Sequence, residues 1–264
     1  MASFDPLAKP HSASTDDHNQ CVPDPLAHFK AMPWCADLLS DRAVVSVVVP
    51  DRRPLPTGES NFVRKTMNTP STVRASVSFM RFVKPSEITS GAVTTSPTTP
   101  KKESTSNSGS GSGSESKKVG EGEKKKKKKP LSKSEPLLSG GGKDNGEDPR
   151  NPFLLFNALA DLGEDCTSYV STMHGGLYGV LMDEVMGTAA NFQSEKGAYT
   201  VSFTTKFRRA VSPPMVVLIR GRVVRKEGRK LHLRGTIEDK DGNIMAEGEG
   251  LWVMMGKNVG RSQL

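Results

Sequence analysis

Paired cysteines and long apolar runs are both missing from this chain. Its 264 residues include three cysteines, Cys21, Cys35 and Cys166, and none of them belongs to a C-x-x-C pair. So few cysteines fit a reducing compartment and argue against a disulfide framework or a zinc site. No stretch approaches the roughly 18 consecutive apolar residues that a membrane span requires. We therefore expect neither a metal ion nor a membrane span.

Several signatures of enzymes and of export are also missing. The chain has no G-x-S-x-G turn for a serine nucleophile, and its histidines do not cluster at metal-ligand spacing. Residues 1–20 carry three aspartates and no apolar core segment, which suits neither a secretory signal nor a transit peptide. We expect a cytoplasmic protein, with the mitochondrion and the nucleus left open.

Residues 84–150 are rich in Ser, Gly, Lys and Pro and contain almost no large apolar side chains. They carry 14 basic and 9 acidic residues, so five of the eight net positive charges lie there. Such a tract cannot bury enough surface to offset the entropy of ordering, which predicts a disordered insert. Lys124–Lys129 fits a solubilising linker, a nuclear signal or a tether to an acidic surface. Because the remainder is nearly neutral, no nucleic-acid partner is inferred from the pI of about 9.4.

The insert interrupts one folded domain. Asp24 and Pro25 open a helical segment that Pro33 should divide, and alternation over 71–83 predicts a half-buried strand. A second strand-like run begins just after the insert, which we expect to replace a hairpin turn, since loop closure costs only about 0.6 kcal/mol per doubling of length. The predicted segments are a disordered N-terminus (1–23), a helix and first strand (24–83), the insert (84–150), the core (151–256) and a tail (257–264).

Residues 198–254 alternate between apolar and polar side chains and contain short connections such as Asp241-Gly242. Connections this short favour an antiparallel meander, because parallel neighbours need longer crossovers. The predicted fold class is α+β, with two early strands, one long helix and about four strands wrapping it.

The long helix is predicted over residues 174–193, where Asp183 and Glu184 are the only charged side chains. A helix that is apolar nearly all round is buried. Small residues flank Asp183 at helical spacing, which suggests that a backbone or a ligand approaches that side closely; they are Gly176, Gly179, Gly187 and Ala190. Asp183 should project into this groove, with its proton affinity altered by burial. Glu184, about 100° round the helix, should face a polar partner or the rim.

Gly175 and Gly176 open the helix, where free backbone amides and the helix dipole can hold an oxyanion or a carbonyl oxygen. Together with a carboxylate base, such a site is the minimum set of groups for acyl hydrolysis. Gly175 and Asp183, however, lie about 12 Å apart along the helix axis. We therefore expect a dimer in which the glycine amides of one subunit face Asp183 of the other.

"HGGLYGVLMDEVMG" and the strands that follow it resemble the hotdog-fold thioesterase superfamily, particularly the branch with an HGG-x(6)-D helix. The resemblance covers roughly residues 151–256 and implies an antiparallel sheet wrapped around one long central helix. It implies that Asp183 is the general base or nucleophile and that Gly176, with Gly175, polarises the thioester carbonyl. His174 would open the helix near the thioester, and Thr200 would help to orient water.

The same resemblance implies acyl-CoA substrates, a dimer or dimer of dimers, and no cofactor other than coenzyme A as part of the substrate. The chain departs from the family pattern in its insert, in Ala210 where a proline often stands, and in Glu184 directly after the aspartate. Further candidates for binding the substrate are Glu184, Arg208 and Arg209, the two arginines through coenzyme A phosphates.

Leu177, Tyr178 and Met182 are expected to line or back an acyl tunnel.

Two other functions remain open. A hydroxyacyl dehydratase would need a catalytic histidine paired with a carboxylate, and a non-catalytic protein would bind acyl-CoA without turnover.

Overall fold

The protein places one long helix against a seven-stranded antiparallel sheet. The computed structural model describes residues 18–82, 135–138, 154–194 and 196–256. Its helices are α1 (Pro25–Lys30), α2 (Pro33–Leu39), α3 (Glu135–Leu138) and the central helix α4 (Gly175–Asn191), with a π-helix at Phe62–Thr66 and a 3₁₀ turn at Glu164–Cys166. Its strands are β1 (Val44–Val48), β2 (Val73–Phe82), β3 (Leu154–Leu162), β4 (Thr167–Tyr169), β5 (Thr172–Met173), β6 (Ala198–Phe207), β7 (Met215–Glu227), β8 (Lys230–Glu238) and β9 (Ile244–Met254).

The strand order in the sheet is β1-β2-β3-β7-β8-β9-β6, while β4 and β5 form a separate small hairpin. β2 and β3 are antiparallel neighbours, with Val77 opposite Leu159. The prediction that these two strands pair across the insert is therefore confirmed. β7, β8 and β9 follow as the predicted meander, and α4 packs on β3, β6, β7, β8 and β9. The α+β hotdog architecture is confirmed.

The two faces of the sheet have separate apolar cores. The main core lies between α4 and the sheet, and contains Leu181, Met182, Val185 and Met186 of the helix. The second core lies on the opposite face, where α1 and α2 pack Phe29, Cys35 and Leu39 onto β2, β3 and β7. The predicted break at Pro33 is confirmed, and Asp24 caps α1 by accepting from the amide of Ala27.

β2 differs from the half-buried strand that its alternation predicts. Seven of its ten residues are buried, because α1 and α2 cover the face that carries Ala75, Val77 and Phe79. Its apolar stripe therefore packs on the N-terminal helices rather than on the central helix. The alternating pattern predicted the strand correctly, but it did not show which face of the strand packs on the N-terminal helices and which packs on α4.

β6 differs in the opposite sense. It is the last strand of the sheet, and its pattern is mostly exposed. Tyr199, Val201 and Phe207 remain 57%, 60% and 59% exposed. A long apolar edge of this kind is a surface on which another chain can pair.

Parts of two segments that were expected to be disordered are ordered. In the predicted N-terminal segment, the Gln20 side chain binds the backbone of β2 by accepting from the amide of Ser76 at 2.6 Å and donating to its carbonyl at 3.1 Å. In the predicted insert, α3 packs on β7 and β8, and Leu138 is buried. Both predictions are wrong at these positions, because a few side chains find partners on the sheet. Residues 1–17, 84–134 and 139–150, and the tail 257–264, lie outside the described residues.

Within the described ranges, no helix has the length and apolar character needed to cross a membrane.

Candidate active site

The entrance to α4 is fixed by its own N-cap. His174 accepts the amide of Gly176 on Nδ1 at 3.0 Å, and its carbonyl accepts the amide of Leu177 at 2.9 Å. The His174 amide in turn donates to the carbonyl of Cys166 at 2.9 Å. The helix therefore begins at a defined position, with His174, Gly175 and Gly176 exposed.

The two glycine amides at this entrance differ. The Gly176 amide, predicted to polarise a carbonyl, already donates to His174 within the same chain. For the Gly175 amide, the described part of the chain supplies no acceptor. First-turn amides have no partner inside a helix. In the free protomer, Gly175 therefore offers the open donor, and Gly176 becomes available only if His174 turns away.

The side chains of Asp183 and Thr200 are in direct contact. The Thr200 hydroxyl donates to Oδ1 of the half-buried Asp183 at 2.7 Å. Burial raises the pKa of the Asp183 carboxyl above its ordinary value, and the hydrogen bond from Thr200 opposes part of that rise. A carboxylate that holds its proton more tightly is a stronger base once ionised.

A bulge in β6 brings Thr200 to the helix. The pairing with β9 shifts between Thr200 and Ser202, so that the strand gains one residue there. Thr200 reaches Asp183, while the Phe203 ring lies 3.8 Å from where a Cβ on Gly179 would stand. Residues three apart lie on opposite faces of a regular strand. Strict alternation would therefore have turned Thr200 away from the helix.

The small residues around Asp183 do not provide the close approach that the sequence suggested. A Cβ added at Gly175, Gly179 or Gly187 would lie 3.7–3.8 Å from its nearest neighbour, an ordinary contact. These neighbours are aromatic side chains of β6 and β9. Inside one protomer, nothing requires glycine at these three positions. Gly176 of the predicted stripe is different, because a Cβ there would lie 3.1 Å from Nδ1 of its own N-cap, His174.

The close approach between helix and sheet is made by glycines of the strands. A Cβ at Gly235 of β8 would lie 2.6 Å from Sδ of Met186 and 2.8 Å from the carbonyl oxygen of Arg220. A Cβ at Gly221 of β7 would lie 3.1 Å from Cα of Met186. Bare backbone on the sheet therefore allows α4 to sit close to it.

Glu184 differs from Asp183 in the group on which its charge acts. It is half-buried, and its charge acts on Arg52 by favouring the charged form of the guanidinium. Arg52 is fully buried and donates to the carbonyls of Val63, Met67 and Val73 at 2.8–2.9 Å. Burial lowers the pKa of Arg52 to about 10, and the charge of Glu184 opposes that shift. Glu184 was expected to face a polar partner or the rim; its charge acts on a buried arginine that the sequence pattern did not identify.

Arg208 and Arg209 come directly after β6, at the opposite end of the strand from Thr200. The two arginines differ in their partners. Arg208 makes two hydrogen bonds to Glu247, at 2.8 and 3.1 Å. Arg209 is exposed, and no acidic side chain of the described chain pairs with it. Its backbone carbonyl accepts from the hydroxyl of Tyr178 at 3.4 Å.

The predicted site residues thus form two groups within one protomer. Asp183 and Thr200 make one group, and the helix entrance makes the other, with Phe207 and the two arginines beside it. About 12 Å of helix separates Gly175 from Asp183. The sequence did not reveal that Phe207 lies at the helix entrance. It also did not reveal that Tyr178, expected only at an acyl tunnel, contacts the backbone beside Arg209.

The residues expected to line or back an acyl tunnel pack in the main core. Leu177, Tyr178 and Met182 are all buried there. An open, shallow apolar pocket lies elsewhere, between the last turns of α4 and the outer strands, and includes Met80, Phe156, Thr188 and Phe192. Phe192 follows Asp183 by nine residues and so lies about 180° round the helix from it. This pocket and the Asp183 group occupy different sides of α4.

Residues 171–246 match the family model of the thioesterase superfamily. The matched segment contains α4, β6, β7, β8 and the start of β9, and so includes both groups of site residues. The resemblance to this superfamily is confirmed over that segment. No curated protein matches the chain.

Solved structures give distant similarities. A protein described as a member of the thioesterase superfamily is 26% identical over 38% of this chain and 48% of its own, with a TM-score of 0.35. A Streptococcus mutans protein bound to acetyl CoA is 17% identical over 40% of this chain and 84% of its own, with a TM-score of 0.38. The E. coli PaaI protein from the phenylacetic acid degradation operon is 16% identical over 40% and 76%, with a TM-score of 0.38. The chain spans about half the length of the first of these proteins.

Proposed function

We propose that this protein is a homo-oligomeric acyl-CoA thioesterase in which Asp183 acts on the thioester carbonyl. The observation that carries the proposal is the half-buried Asp183, which accepts a hydrogen bond from Thr200 and has a raised pKa. It lies on the central helix of a segment that matches the thioesterase superfamily. A carboxylate with a raised pKa on such a helix is suited to proton abstraction.

The proposed reaction is a hydrolysis. Asp183 takes a proton from water as the water oxygen attacks the carbonyl carbon, and the C–S bond then breaks. The thiolate of coenzyme A leaves and takes up the proton, so that the products are a carboxylic acid and a free thiol. Alternatively, the carboxylate of Asp183 attacks directly, and water then hydrolyses the resulting anhydride.

The carbonyl oxygen needs a donor that one protomer does not place beside its own Asp183. The helix entrance offers the Gly175 amide, with Gly176 available if His174 turns away. A second protomer related by a two-fold axis would bring its entrance to Asp183 of the first. The site is therefore proposed to lie at a dimer interface, with a carboxylate from one subunit and amides from the other.

β6 supports this assembly as the open edge of the sheet. Its apolar side chains Tyr199, Val201 and Phe207 remain more than half exposed. Thr200, beside Asp183, lies near one end of β6, whereas Phe207, beside Gly175, lies at the other. Antiparallel pairing of two copies of β6 would place the beginning of one strand opposite the end of the other. Each Asp183 would then lie near the partner's helix entrance.

The remaining candidates take separate roles. Arg209 is proposed to meet a phosphate of coenzyme A, since its side chain is exposed and its charge is not matched by a described acidic neighbour. Glu184 is proposed to balance the charge of buried Arg52 rather than to act on substrate. Asp183 is therefore the carboxylate assigned to the chemistry.

No observation favours the dehydratase reading. That chemistry needs a histidine paired with a carboxylate, and His174 uses Nδ1 for the amide of Gly176. In the described ranges, the histidine–carboxylate pairs are His28 with Asp161 and His232 with Glu227, and neither includes a residue of α4.

The test follows thiol release from a panel of acyl-CoAs for wild type and Asp183→Asn. We expect the variant to lose at least about 100-fold in rate, the usual lower range for general acid–base catalysis. Asp37→Asn is the matched control, because Asp37 is an exposed aspartate of α2 on the other face of the sheet. Equal rates for wild type and Asp183→Asn, or no release from any acyl-CoA, would refute the proposal. Binding without release would instead support the non-catalytic reading.

The stability of Asp183→Asn provides a check that its inactivity is not unfolding. The folded-state pKa of Asp183 lies above the ordinary value of an aspartate, so ionisation destabilises the fold as the pH rises through the raised pKa. The variant lacks that penalty and should therefore melt at or above the wild-type temperature at pH 7. An inactive variant that melts well below wild type would not be evidence for catalysis.

A further inference from the structure

The turn that carries Arg209 is held by one buried hydroxyl. Tyr178, only 4% exposed, accepts the amide of Val211 at 2.8 Å and donates to the carbonyl of Arg209 at 3.4 Å. The amides of Arg208 and Arg209 both donate to the carbonyl of Met245, at 2.8 and 3.0 Å. Tyr178 is thus the side chain from α4 that fixes the backbone on both sides of residue 210.

The same side chain contacts the helix entrance. Tyr178 lies in the first turn of α4, three residues after Gly175. The Phe207 ring stands edge-on to the Tyr178 ring at 5.1 Å, and its Cζ lies 3.7 Å from where a Cβ on Gly175 would be. The amide of Met173, just before the N-cap, donates to the carbonyl of Val211 at 2.8 Å. The entrance and the arginine turn are therefore joined through a single network.

The hydroxyl stays protonated in this position. Burial raises the pKa of Tyr178 above its ordinary value, and the hydrogen bond from Val211 opposes part of that rise. A neutral phenol can accept from one backbone group and donate to another at the same time. Its loss would leave the buried amide of Val211 without its partner.

We infer that Tyr178 is a positioning residue that sets the distance between Arg209 and the helix entrance, so that one protomer binds both the phosphate end and the carbonyl end of an acyl-CoA. The inference rests on the proposed function, since it takes coenzyme A as the ligand. It assigns the phosphate contact to Arg209, because Arg208 already makes two hydrogen bonds to Glu247. Tyr178 acts through the backbone of residue 209 and does not touch the substrate.

The experiment measures binding, so that it does not depend on turnover. Dissociation constants for coenzyme A and for pantetheine, which lacks the nucleotide phosphates, are determined by calorimetry on wild type and Tyr178→Phe. We expect Tyr178→Phe to weaken coenzyme A binding about tenfold, as expected for a displaced charge-assisted contact, and to leave pantetheine binding unchanged. Tyr169→Phe is the matched control, since Tyr169 is 79% exposed on the β4–β5 hairpin.

A second variant guards against misfolding of the first. Arg209→Gln changes an exposed side chain and leaves the Tyr178 network in place. It should show the same selective loss of coenzyme A binding, and the double variant should lose no more than Arg209→Gln alone. Equal weakening of both ligands by Tyr178→Phe, or no change in either, would overturn the inference, as would unchanged coenzyme A binding by Arg209→Gln.

The outcomes for the two proposals are distinguishable. If wild type hydrolyses acyl-CoA but Tyr178→Phe binds coenzyme A normally, the positioning role fails and the thioesterase proposal stands. If wild type binds coenzyme A but releases no thiol, the thioesterase proposal fails and the positioning role is judged by the dissociation constants. If wild type does not bind coenzyme A, both are wrong.

Discussion

The two faces of α4 use small residues in opposite ways. On the face that packs on the sheet, the helix carries Met182 and Met186, and glycine lies on the strands opposite them. On the face that carries Asp183, glycine lies on the helix, and the neighbouring strands supply aromatic rings. A Cβ would clash at the strand glycines Gly221 and Gly235 but would fit at the helix glycines Gly179 and Gly187.

This difference shows which glycines the fold itself needs. Gly221 and Gly235 let the helix backbone and Met186 approach the sheet, so their lack of a side chain is a packing requirement. Gly179 and Gly187 cost helix stability, about 1 kcal/mol each relative to alanine, without a close contact inside the protomer. Any requirement for them must come from outside it, and the proposed second subunit is the candidate.

The largest effect on this comparison is expected from Gly235→Ala. Its Cβ would meet Sδ of Met186 and the carbonyl oxygen of Arg220, and backbone cannot move as freely as a side chain. Overpacking of this kind costs about 1–3 kcal/mol, to be measured from the urea unfolding midpoint. Gly256→Ala is the control, because a Cβ there meets nothing within 4 Å. A wild-type midpoint for Gly235→Ala would show that the sheet tolerates side chains under α4.

A smaller effect of the opposite sign is expected from Gly187→Ala. The added methyl would lie 3.7 Å from Nε1 of Trp252, and alanine favours the helix by about 1 kcal/mol. The variant should unfold at higher denaturant than wild type when measured at a concentration where the protein is monomeric. Its dimer dissociation constant, from analytical ultracentrifugation, should rise if a second subunit needs the glycine. If Gly187→Ala instead made the monomer less stable, a Cβ would be unfavourable on both faces of α4, and the contrast between helix and strand glycines would be wrong.

The smallest effect is expected on the pH dependence of the reaction rate, through the face of α4 that carries Asp183. The hydroxyl of Thr200 lowers the pKa of Asp183, which burial raises, so Thr200→Val should raise that pKa further. If ionised Asp183 is the base, the acidic limb of the rate profile should move to higher pH in the variant. The measurement is the rate of thiol release against pH. A shift to lower pH, or an unchanged limb, would contradict this assignment.

Much of the fold could be predicted because it rests on local patterns. Asp24, Pro25 and Pro33 set the N-terminal helices, and an almost uncharged apolar run set α4. Alternation and short turns predicted the meander of β7, β8 and β9. The site was predictable to the extent that it lies on one continuous motif, from His174 to Asp183.

The rest depended on contacts between distant segments. Alternation in β2 showed an apolar stripe, but only the packing of α1 and α2 decided that this stripe faces them. A bulge in β6, which alternation does not reveal, turns Thr200 toward Asp183. The charge of Glu184 acts on the buried Arg52, a residue far away in the sequence.

By itself, the sequence determined that a buried helix carries one acid among small residues and begins with two glycines, because helical periodicity and capping act within a few residues. The tertiary structure decided which amide of that entrance already has an acceptor, which of the two arginines is paired with an acidic side chain, and which glycines the packing requires. Those outcomes depend on how closely separate segments approach, and distances of that kind are fixed only when the whole sheet closes on the helix.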